Sequence, residues 1–194
     1  MYKEKYTNSN IIAKGLLKSF FKKIEKISYP IKNEVSTILE IGCGHGYSTY
    51  ELSKIFDKSL FEASDVNPEL VQDAKTRNPT IKISEESAYD LNRHDESFDL
   101  VILLEVLEHL SNPDQALREL SRVSKKYCII SVPDEPLWRI LNMIRGSYWP
   151  EFGNTPGHIN HWSKNEISRL VGKYFKIMKV VTTMPWTLLL ARKY

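Results

Sequence analysis

A strand-like run that leads into closely spaced glycines is the most chemically informative stretch of the sequence. Thr37–Ile41 is mostly apolar but contains Glu40, and in the segment that follows, Gly42–Gly46, every second residue is glycine. Glycine lets a backbone approach a ligand closely and adopt conformations that a Cβ atom would forbid. The spacing therefore predicts a ligand-binding turn that opens a helix. Its candidate ligand contacts are Gly42, Cys43, Gly44 and Gly46.

Two carboxylates flank this turn and indicate the kind of ligand that it binds. Asp65 ends the next strand-like segment roughly twenty residues later, where a carboxylate accepts hydrogen bonds from both hydroxyls of a ribose. Glu40 precedes Gly42 by two positions, where its charge would repel a pyrophosphate and attract an ammonium group. The third glycine also comes one residue early for a dinucleotide-binding turn. These features favour S-adenosylmethionine over a dinucleotide and disfavour a nucleotide-dependent oxidoreductase.

A second group of polar residues follows the fourth strand-like segment. Glu105, Glu108 and His109 are spaced by three and four residues, so in a helix all three would project to one side. Such a group could bind a divalent ion. Alternatively, Glu105 lines the ligand site, Glu108 is solvated and His109 has a structural role. The remaining ligands of a metal ion cannot be assigned from the sequence, and no metal is predicted.

A third group lies in the segment 156–163, where His158 and His161 are close to Trp162. Histidine can accept a proton near neutral pH, and an adjacent tryptophan can border a flat substrate. The candidate catalytic residues are therefore His109, His158 and His161. For each of them a structural role, such as anchoring a loop, is an equally good explanation.

The elements that must position these residues alternate between strand-like and helix-like segments, which is typical of a sheet whose crossover connections are helices. Asn67, Asn112 and Ser163 are predicted helix N-caps, and Glu166 would complete a capping box with Ser163. The predicted strands are 37–41, 60–64, 80–84, 98–104, 127–132, 176–183 and 186–192. The predicted helices are 10–27, 47–56, 68–77, 113–124 and 164–174.

Residues 134–162 lack a regular apolar period and are rich in aromatic residues, glycine and proline. Long irregular segments in compact domains are usually binding loops or lids. The sequence therefore predicts a loop or lid on the substrate side. Its aromatic content suggests an acceptor that is a ring, a sugar or a lipid-linked compound.

The N-terminal segment is strongly basic. Residues 1–32 contain eight Lys and two Glu, a net charge of +6, so the rest of the chain carries −3 of the total of +3. Within 10–27, apolar residues recur at three- and four-residue steps with lysines between them, which predicts a basic amphipathic helix that Tyr29 and Pro30 end. This helix either packs on the domain with its lysines solvated or contacts a membrane surface or an acidic partner.

Composition places the chain among ordinary globular proteins. Its 194 residues, 42% hydrophobic and 26% charged, are expected to form one domain over 1–194. The net charge of +3 does not indicate nucleic acid. Cys43 and Cys128 fit neither a zinc site nor a disulfide framework. No apolar run approaches the length of a membrane span and no signal peptide is recognisable, so we expect a cytoplasmic monomer or homodimer.

Together these motifs resemble those of the class I S-adenosylmethionine-dependent methyltransferases, from about Thr37 to the C-terminal strands. The sequence E-I-G-C-G-H-G is similar to the first motif of that family, and Asp65 matches its ribose-binding acid. Residues 97–110 resemble its fourth strand and the loop that follows. The resemblance implies an α/β fold, a three-layer Rossmann-like sandwich around a seven-stranded, mostly parallel sheet whose last strand is antiparallel.

The resemblance also implies roles for individual residues. Glu40 would face the amino group of the methionine part, Asp65 would hold the ribose and Val66 would pack on the adenine. Ser87 departs from the family pattern, because many relatives have Asp-Ala where this chain has Ser-Ala at the adenine edge. The complete expected cofactor site is Glu40, Gly42, Cys43, Gly44, Gly46, Asp65, Val66, Ser87, Ala88, Leu104 and Glu105.

The activity implied by the resemblance is S-adenosylmethionine-dependent methylation of oxygen or nitrogen in a small-molecule acceptor. Such a reaction requires the protein mainly to align the acceptor and to exclude water. The alternative is a non-catalytic nucleoside-binding domain, or a module that docks on a membrane or partner through residues 10–27. The sequence does not identify the acceptor.

Overall fold

A seven-stranded sheet organises the fold, with the strand order β3-β2-β1-β4-β5-β7-β6. The computed structural model describes residues 11–135, 137–144, 152 and 154–194. The strands are β1 (Thr37–Ile41), β2 (Leu60–Asp65), β3 (Lys82–Glu85), β4 (Phe98–Leu104), β5 (Ser124–Pro133), β6 (Phe175–Thr183) and β7 (Trp186–Lys193). The first five pair in parallel, and β7 runs antiparallel to both β5 and β6. The predicted seven-stranded sheet with an antiparallel last strand is confirmed.

Six α-helices are found in the described part of the chain, and together they cover both faces of the sheet. They are α1 (Ile11–Ser28), α2 (Tyr47–Ile55), α3 (Pro68–Arg77), α4 (Pro113–Val123), α5 (Leu137–Ile144) and α6 (Lys164–Val171). Two 3-10 helices, Tyr29–Glu34 and Leu107–His109, lie between them in sequence. One hydrophobic cluster joins the sheet to α4 and α6, and a second joins its other face to α1 and α2. This arrangement is the three-layer sandwich that the sequence predicts.

The central strand β4 shows why this sequence forms a covered sheet. All seven of its residues are buried, as expected for a parallel strand with helices on both faces. The strand order reverses between β1 and β4. From β1 the chain continues to β2 and β3 toward one edge of the sheet, and from β4 it continues to β5 toward the other edge. In sheets of this kind the crevice at the carboxyl ends of the strands, at such a reversal, is where ligands bind. The glycine turn after β1 and the residues after β4 both lie at this place.

The helix starts follow the predicted caps. The Asn67 side chain accepts hydrogen bonds from the backbone of α3, and Asn112 does the same for α4. Ser163 and Glu166 form the reciprocal capping box at the start of α6. These short-range hydrogen bonds fix where the helices begin, and three of the predicted helix starts are confirmed.

Several predicted boundaries are wrong. The segment 134–162 is not irregular throughout, because α5 (Leu137–Ile144) lies within it. β3 runs from Lys82 to Glu85 and not over 80–84. Residues 136, 145–151 and 153 of the predicted loop lie outside the described residues, as do residues 1–10 of the basic segment and the first residue of the predicted helix 10–27.

The basic helix packs against the domain through its apolar side. Phe20, Phe21, Ile24 and Ile27 of α1 are buried, and the chain continues past Ser28 as a 3-10 helix because Pro30 can occupy a first helical turn. In the part of the chain that is described, no helix is long and apolar enough to cross a bilayer. The helix therefore packs on the domain through these residues, and the side that bears its lysines stays exposed.

Candidate functional site

The turn after β1 adopts backbone conformations that favour glycine at alternate positions. Gly42, Gly44 and Gly46 have φ values of 77°, 54° and 75°. A Cβ atom on Gly42 would collide with the side chain of Val106, and one on Gly46 would come within 2.5 Å of the Asn78 side chain. The turn is thus closely packed on its inner side, and its glycines satisfy both the conformation and the space available.

Asp65 is held next to this turn at the end of β2. Its Oδ2 accepts a hydrogen bond from the Gly44 N–H at 2.8 Å, and its Oδ1 accepts one from the Asn67 N–H at 3.0 Å. The next residue, Val66, is 65% exposed, so an apolar surface borders the carboxylate. A nucleoside whose ribose meets Asp65 would find this surface beside it.

The two residues expected at the adenine edge lie on the loop after β3. The Ser87 hydroxyl accepts a hydrogen bond from the Tyr89 N–H at 3.2 Å, and Ala88 packs on the main hydrophobic cluster. Ser87 therefore shapes its own loop, and its hydroxyl proton is still available to donate to a ligand.

Glu40 is a buried carboxylate inside the same region, with 1% of its surface exposed. The Thr49 hydroxyl of α2 donates a hydrogen bond of 2.6 Å to its Oε2, whereas Oε1 has no hydrogen-bond partner among the described residues. The pKa of Glu40 is raised to about 7, mainly by burial; the hydroxyls of Ser48 and Thr49 act in the opposite direction, and the nearby Asp65 carboxylate adds to the rise. A cation beside Oε1 would stabilise the ionised form of the Glu40 carboxyl.

Leu104 and Glu105 end β4 on the other side of the strand-order reversal. Glu105 has a φ of 57°, an uncommon conformation for a residue with a side chain, and it is buried. Ser131 of β5 fixes it, because the Ser131 hydroxyl donates to Oε1 at 2.9 Å and the Ser131 carbonyl accepts from the Glu105 N–H at 3.1 Å. Strained backbone that neighbouring groups hold in place is typical of functional sites.

The expectation that Glu105, Glu108 and His109 project to one side of a helix is wrong. Only Leu107–His109 is helical, as one 3-10 turn, because the chain bends at Glu105. Instead, Glu108 and His109 meet His158, and one ligand atom from each of the three lies within 4.8 Å of the others. These atoms are close enough to hold one cation between them.

His161 lies apart from that group. Its Nε2 is 2.7 Å from the Asn154 side-chain oxygen, and burial lowers its pKa, as does the Arg139 charge. The structure therefore brings together two of the three candidate histidines, His109 and His158, and separates the third.

A row of aromatic side chains connects His158 to the hydrophobic cluster that α1 forms with the sheet. The Trp138 and His158 rings are 6.3 Å apart and within 29° of parallel, and Trp138 donates a hydrogen bond of 2.8 Å to the Thr155 hydroxyl. Trp186 follows Trp138 at 6.2 Å, and Phe20 follows Trp186 at 4.9 Å. Phe20 and Trp186 are buried, so Trp138 is the ring of this row that is partly exposed beside His158.

The two cysteines are buried and unpaired. Burial raises the pKa of both thiols, and for Cys43 the Glu40 and Asp65 carboxylates add to this effect. A thiol of this kind stays protonated and is a poor nucleophile. Cys43 therefore contributes packing and backbone to the turn.

Three residues of the site were missed in the sequence: Thr49, Ser131 and Val106. Thr49 could have been found, since it lies one turn into the helix that the glycine turn opens. Ser131 and Val106 contact Glu105 and Gly42 through the tertiary fold, and nothing in the local sequence marks them.

Comparison with known proteins agrees with this geometry. Residues 39–131 match the model of a methyltransferase domain family. Over 85 residues the chain is 39% identical to a malonyl-[acyl-carrier protein] O-methyltransferase of Bacillus cereus. The aligned residues make up 43% of this chain and 31% of that protein. A mitochondrial ubiquinone biosynthesis O-methyltransferase of Dictyostelium discoideum is 25% identical over 164 residues, covering 76% of this chain and 50% of that protein.

Solved structures have the same fold. A magnesium protoporphyrin IX methyltransferase from Synechocystis PCC 6803, solved with bound SAH, superposes with a TM-score of 0.73 at 17% sequence identity. The superposition covers 100% of this chain and 93% of that chain. A protein from Pyrococcus horikoshii OT3 gives a TM-score of 0.76 at 18% identity, with 98% and 96% covered.

Residues 39–131 are thus similar to a methyltransferase domain family, and the fold of the chain is that of the class I S-adenosylmethionine-dependent methyltransferases. S-adenosylmethionine is the cofactor of this domain class. The chain spans half or less of the length of the two curated relatives described above.

Proposed function

We propose that this chain transfers a methyl group from S-adenosylmethionine to oxygen or nitrogen of a small-molecule acceptor. The observation that carries the proposal is the buried Oε1 of Glu40, which has no hydrogen-bond partner among the described residues. A buried carboxylate oxygen is costly unless an opposite charge or a donor meets it. The ammonium group of the methionine part is such a partner.

In this proposal the cofactor lies along the carboxyl ends of β1 and β2. Glu40 binds the ammonium group, the backbone of Gly42–Gly46 with Cys43 borders the methionine part, and Asp65 accepts hydrogen bonds from the ribose. Val66 and the loop at Ser87 and Ala88 border the adenine. Leu104 and Glu105 close the site toward the acceptor. S-adenosylmethionine supplies a methyl carbon that its positively charged sulfur activates.

The acceptor side lies beyond β4, under the described parts of 134–162. Both curated relatives described above are named as O-methyltransferases, one acting on a carrier-linked malonyl group and one in ubiquinone biosynthesis. This supports oxygen over nitrogen as the methylated atom. His109, His158 and His161 are the candidates for accepting a proton from the acceptor.

Replacing Asp65 with asparagine is expected to weaken the binding of S-adenosylmethionine about 10-fold, because a neutral amide accepts ribose hydrogen bonds less strongly than a carboxylate. Isothermal calorimetry measures this effect. Asp73→Asn is the matched control, since Asp73 pairs with His45 of the same turn at 2.8 Å but lies on the surface. Equal affinities of the Asp65 variant and the unaltered protein would remove Asp65 from the site.

We also propose that α1 contacts an anionic surface as a peripheral attachment. Lys14, Lys18, Lys22 and Lys26 repeat every four residues on its exposed side, and none of them forms an ion pair with a described residue. Like charges at this spacing repel each other along a helix. Four lysines in one exposed row therefore favour a negatively charged partner.

Changing Lys18 and Lys22 to glutamine is expected to reduce binding to phosphatidylglycerol vesicles about 30-fold, at roughly 1 kcal/mol per lysine. Co-sedimentation at low salt measures the bound fraction. Lys58→Gln with Lys125→Gln removes the same charge from two other exposed lysines and serves as the control. If the two double variants bind alike, net charge and not α1 determines the association.

A further inference from the structure

Helix α5 is largely apolar, but the described residues do not bury it. Six of its eight residues are apolar. Five of their side chains are described, and each is half-buried or exposed: Leu137, Trp138, Ile140, Leu141 and Met143. A helix that is apolar on most sides is normally buried in a protein core or in a membrane. The described part of the chain therefore leaves α5 with apolar surface in contact with solvent.

The packing of Trp138 shows which side of α5 faces outward. Its ring lies 6.2 Å from that of Trp186, and it packs against the hydrophobic cluster that α1 shares with the sheet. Ile140 follows two residues later, about 200° around the helix, so it lies on the side away from that cluster. Ile140 is accordingly 44% exposed.

Other exposed apolar side chains lie at the same edge of the sheet, the edge where β1–β5 end, which we call the carboxyl edge. Apart from tyrosines, seven large apolar side chains are exposed among the described residues. Five of them are at the carboxyl edge: Val66, Ile140, Phe152, Ile159 and Met184. The other two, Leu60 and Met178, lie elsewhere. Single exposed apolar side chains are common, whereas a group on one surface indicates a contact with a protein or a membrane.

Hydrogen bonds join two of these residues to the segment that carries α5. The Phe152 carbonyl accepts a hydrogen bond of 3.0 Å from the Arg139 side chain of α5. The Pro185 carbonyl, next to Met184, accepts one of 2.9 Å from the N–H of Asp134. Met184 and Phe152 therefore lie close to α5, and with Ile140 they form one apolar surface.

The direction of α1 brings its first turns to the carboxyl edge. Phe20 of α1 lies 4.9 Å from Trp186, and Trp186 pairs with Pro133, the last residue of β5. Beyond the end of α1, the Glu34 carboxylate accepts a hydrogen bond from the Tyr127 hydroxyl, near the start of β5. The helix therefore runs from the carboxyl edge toward the opposite edge, and the residues before Phe20 lie next to the apolar surface.

These first turns of α1 are purely basic. Lys14 and Lys18 are exposed on them. The carboxylate of α1, Glu25, is near the opposite end of the helix, and α5 has Arg139 but no carboxylate. Exposed apolar side chains next to lysines are typical of proteins that bind the surface of an anionic bilayer.

We propose that the carboxyl edge binds an anionic bilayer through α5, Met184 and the first turns of α1. The methyl acceptor is then a lipid-soluble compound that enters the site from this bilayer. The inference rests on the proposed methyl transfer and deepens it by naming the acceptor class, since α5 lies on the acceptor side. A bilayer suits this surface better than an acidic protein does, because separate projecting side chains enter lipid without a partner of complementary shape.

Vesicles of phosphatidylglycerol test the apolar part of this surface. Ile140→Ser combined with Met184→Ser is expected to reduce vesicle binding about 10-fold, because two apolar side chains no longer transfer into lipid. Leu60→Ser combined with Met178→Ser is the matched control, since these side chains are 64% and 48% exposed but lie away from the carboxyl edge. Equal binding of the two double variants would overturn the proposed surface.

Single lysine changes along α1 test the orientation. Lys14 and Lys26 are twelve residues apart, which is about 18 Å along a helix and exceeds the Debye length of about 10 Å at 0.1 M salt. Lys14→Gln is expected to weaken vesicle binding about 5-fold, and Lys26→Gln less than about 2-fold. The reverse order would place the other end of α1 on the bilayer and would contradict the proposal.

A fluorescent label gives a readout of insertion that is independent of affinity. Met184→Cys labelled with nitrobenzoxadiazole should shift its emission to shorter wavelength on phosphatidylglycerol vesicles, and labelled Leu60→Cys should not. Cys43 and Cys128 are buried, so the label reacts with the introduced thiol. Binding to poly-L-glutamate without an emission shift on vesicles would overturn the proposal in favour of an acidic protein partner.

The acceptor class is tested with S-adenosylmethionine that carries tritium in its methyl group. With washed membranes of the cells that make this protein, the label is expected in compounds that organic solvent extracts. Label in water-soluble compounds alone, or none in the membrane extract, would overturn the lipid-soluble acceptor if calorimetry shows that the protein binds S-adenosylmethionine. Absence of that binding would overturn the proposed methyl transfer itself, and with it the acceptor class that rests on it.

Discussion

Replacing Glu40 with glutamine is expected to raise the thermal stability of the ligand-free protein at pH 8 and to weaken its binding of S-adenosylmethionine. Burial raises the pKa of this carboxyl from 4.5 to about 7, so at pH 8 the folded protein holds a buried negative charge. That charge costs the folded state roughly 3 kcal/mol relative to the unfolded chain. Glutamine has nearly the same shape and no charge, so the variant avoids this cost.

The destabilisation that the Glu40 charge causes increases with pH. The folded protein binds the Glu40 proton more tightly than the unfolded chain does, so the destabilisation is absent below about pH 4.5. It grows as the pH rises toward 7 and stays constant above that value. Melting temperatures of the two proteins should therefore converge near pH 4.5 and diverge up to pH 7. Coincident melting curves at pH 8 would contradict the buried charge.

Glu40→Gln should bind S-adenosylmethionine more weakly than the unaltered protein, although it is the more stable of the two. A hydrogen bond to a charged group contributes about 1.5–3 kcal/mol, so losing the carboxylate should weaken S-adenosylmethionine binding roughly 10- to 100-fold. In the unaltered protein the affinity should rise between pH 5 and 7, with a proton released on binding, and the variant should lack this dependence. Calorimetry in buffers of different ionisation enthalpy measures the released proton. Glu51→Gln, which removes an exposed carboxylate paired with Lys54, is the control and should change neither quantity.

The parts of the site that the sequence predicts well are those set by neighbours along the chain. The turn at Gly42–Gly46 and the caps at Asn67 and Ser163 depend on residues within one helical turn, and the structure has all of them. The directions of the strands needed the family resemblance, because alternation of strands and helices alone allows several arrangements. Local chemistry is therefore readable, and topology becomes readable when a family pattern supplies it.

The parts that the sequence does not predict depend on contacts between distant segments. The helical spacing from Glu105 to His109 looked like one face of a helix, but the positive φ at Glu105 turns its side chain toward Ser131. His158 joins His109 only because the intervening chain folds back and hydrogen-bonds to the 3-10 turn. A short stretch of sequence does not indicate such contacts between distant segments.

Helix α5 was missed for a similar reason. Leu137, Trp138 and Leu141 recur at helical steps, but prolines and glycines on both sides in the sequence dominated the interpretation. An eight-residue helix is marginal on its own and needs tertiary packing. Trp138 supplies that packing, because it joins the hydrophobic cluster that contains Phe20 and Trp186.

Gly46→Ala is expected to destabilise the protein by roughly 3 kcal/mol, from the strained backbone and the crowding of the new methyl group together. At the φ of 75° that Gly46 adopts, the added Cβ would lie 2.5 Å from Asn78 Nδ2 and 2.9 Å from the Ala74 Cα. Asn78 cannot easily move aside, because its amide donates to the Gly46 and Ala74 carbonyls. The Ala74 Cα belongs to the backbone of α3, so relief would require shifting that helix or the turn itself.

Thermal unfolding of Gly46→Ala should begin about 10 °C below that of the unaltered protein for a chain of this size. Gly15→Ala is the matched control, since among the described residues no atom outside the local helix backbone lies within 4 Å of the Cβ it would add, and Gly15 is inside α1. There the same substitution should stabilise the helix by about 0.5–1 kcal/mol, because alanine restricts the unfolded chain and favours the helix. Opposite signs at the two glycines would establish that the turn requires the absence of a side chain. A Gly46→Ala protein that melts with the unaltered one would mean that the turn is loosely packed against Asn78 and Ala74.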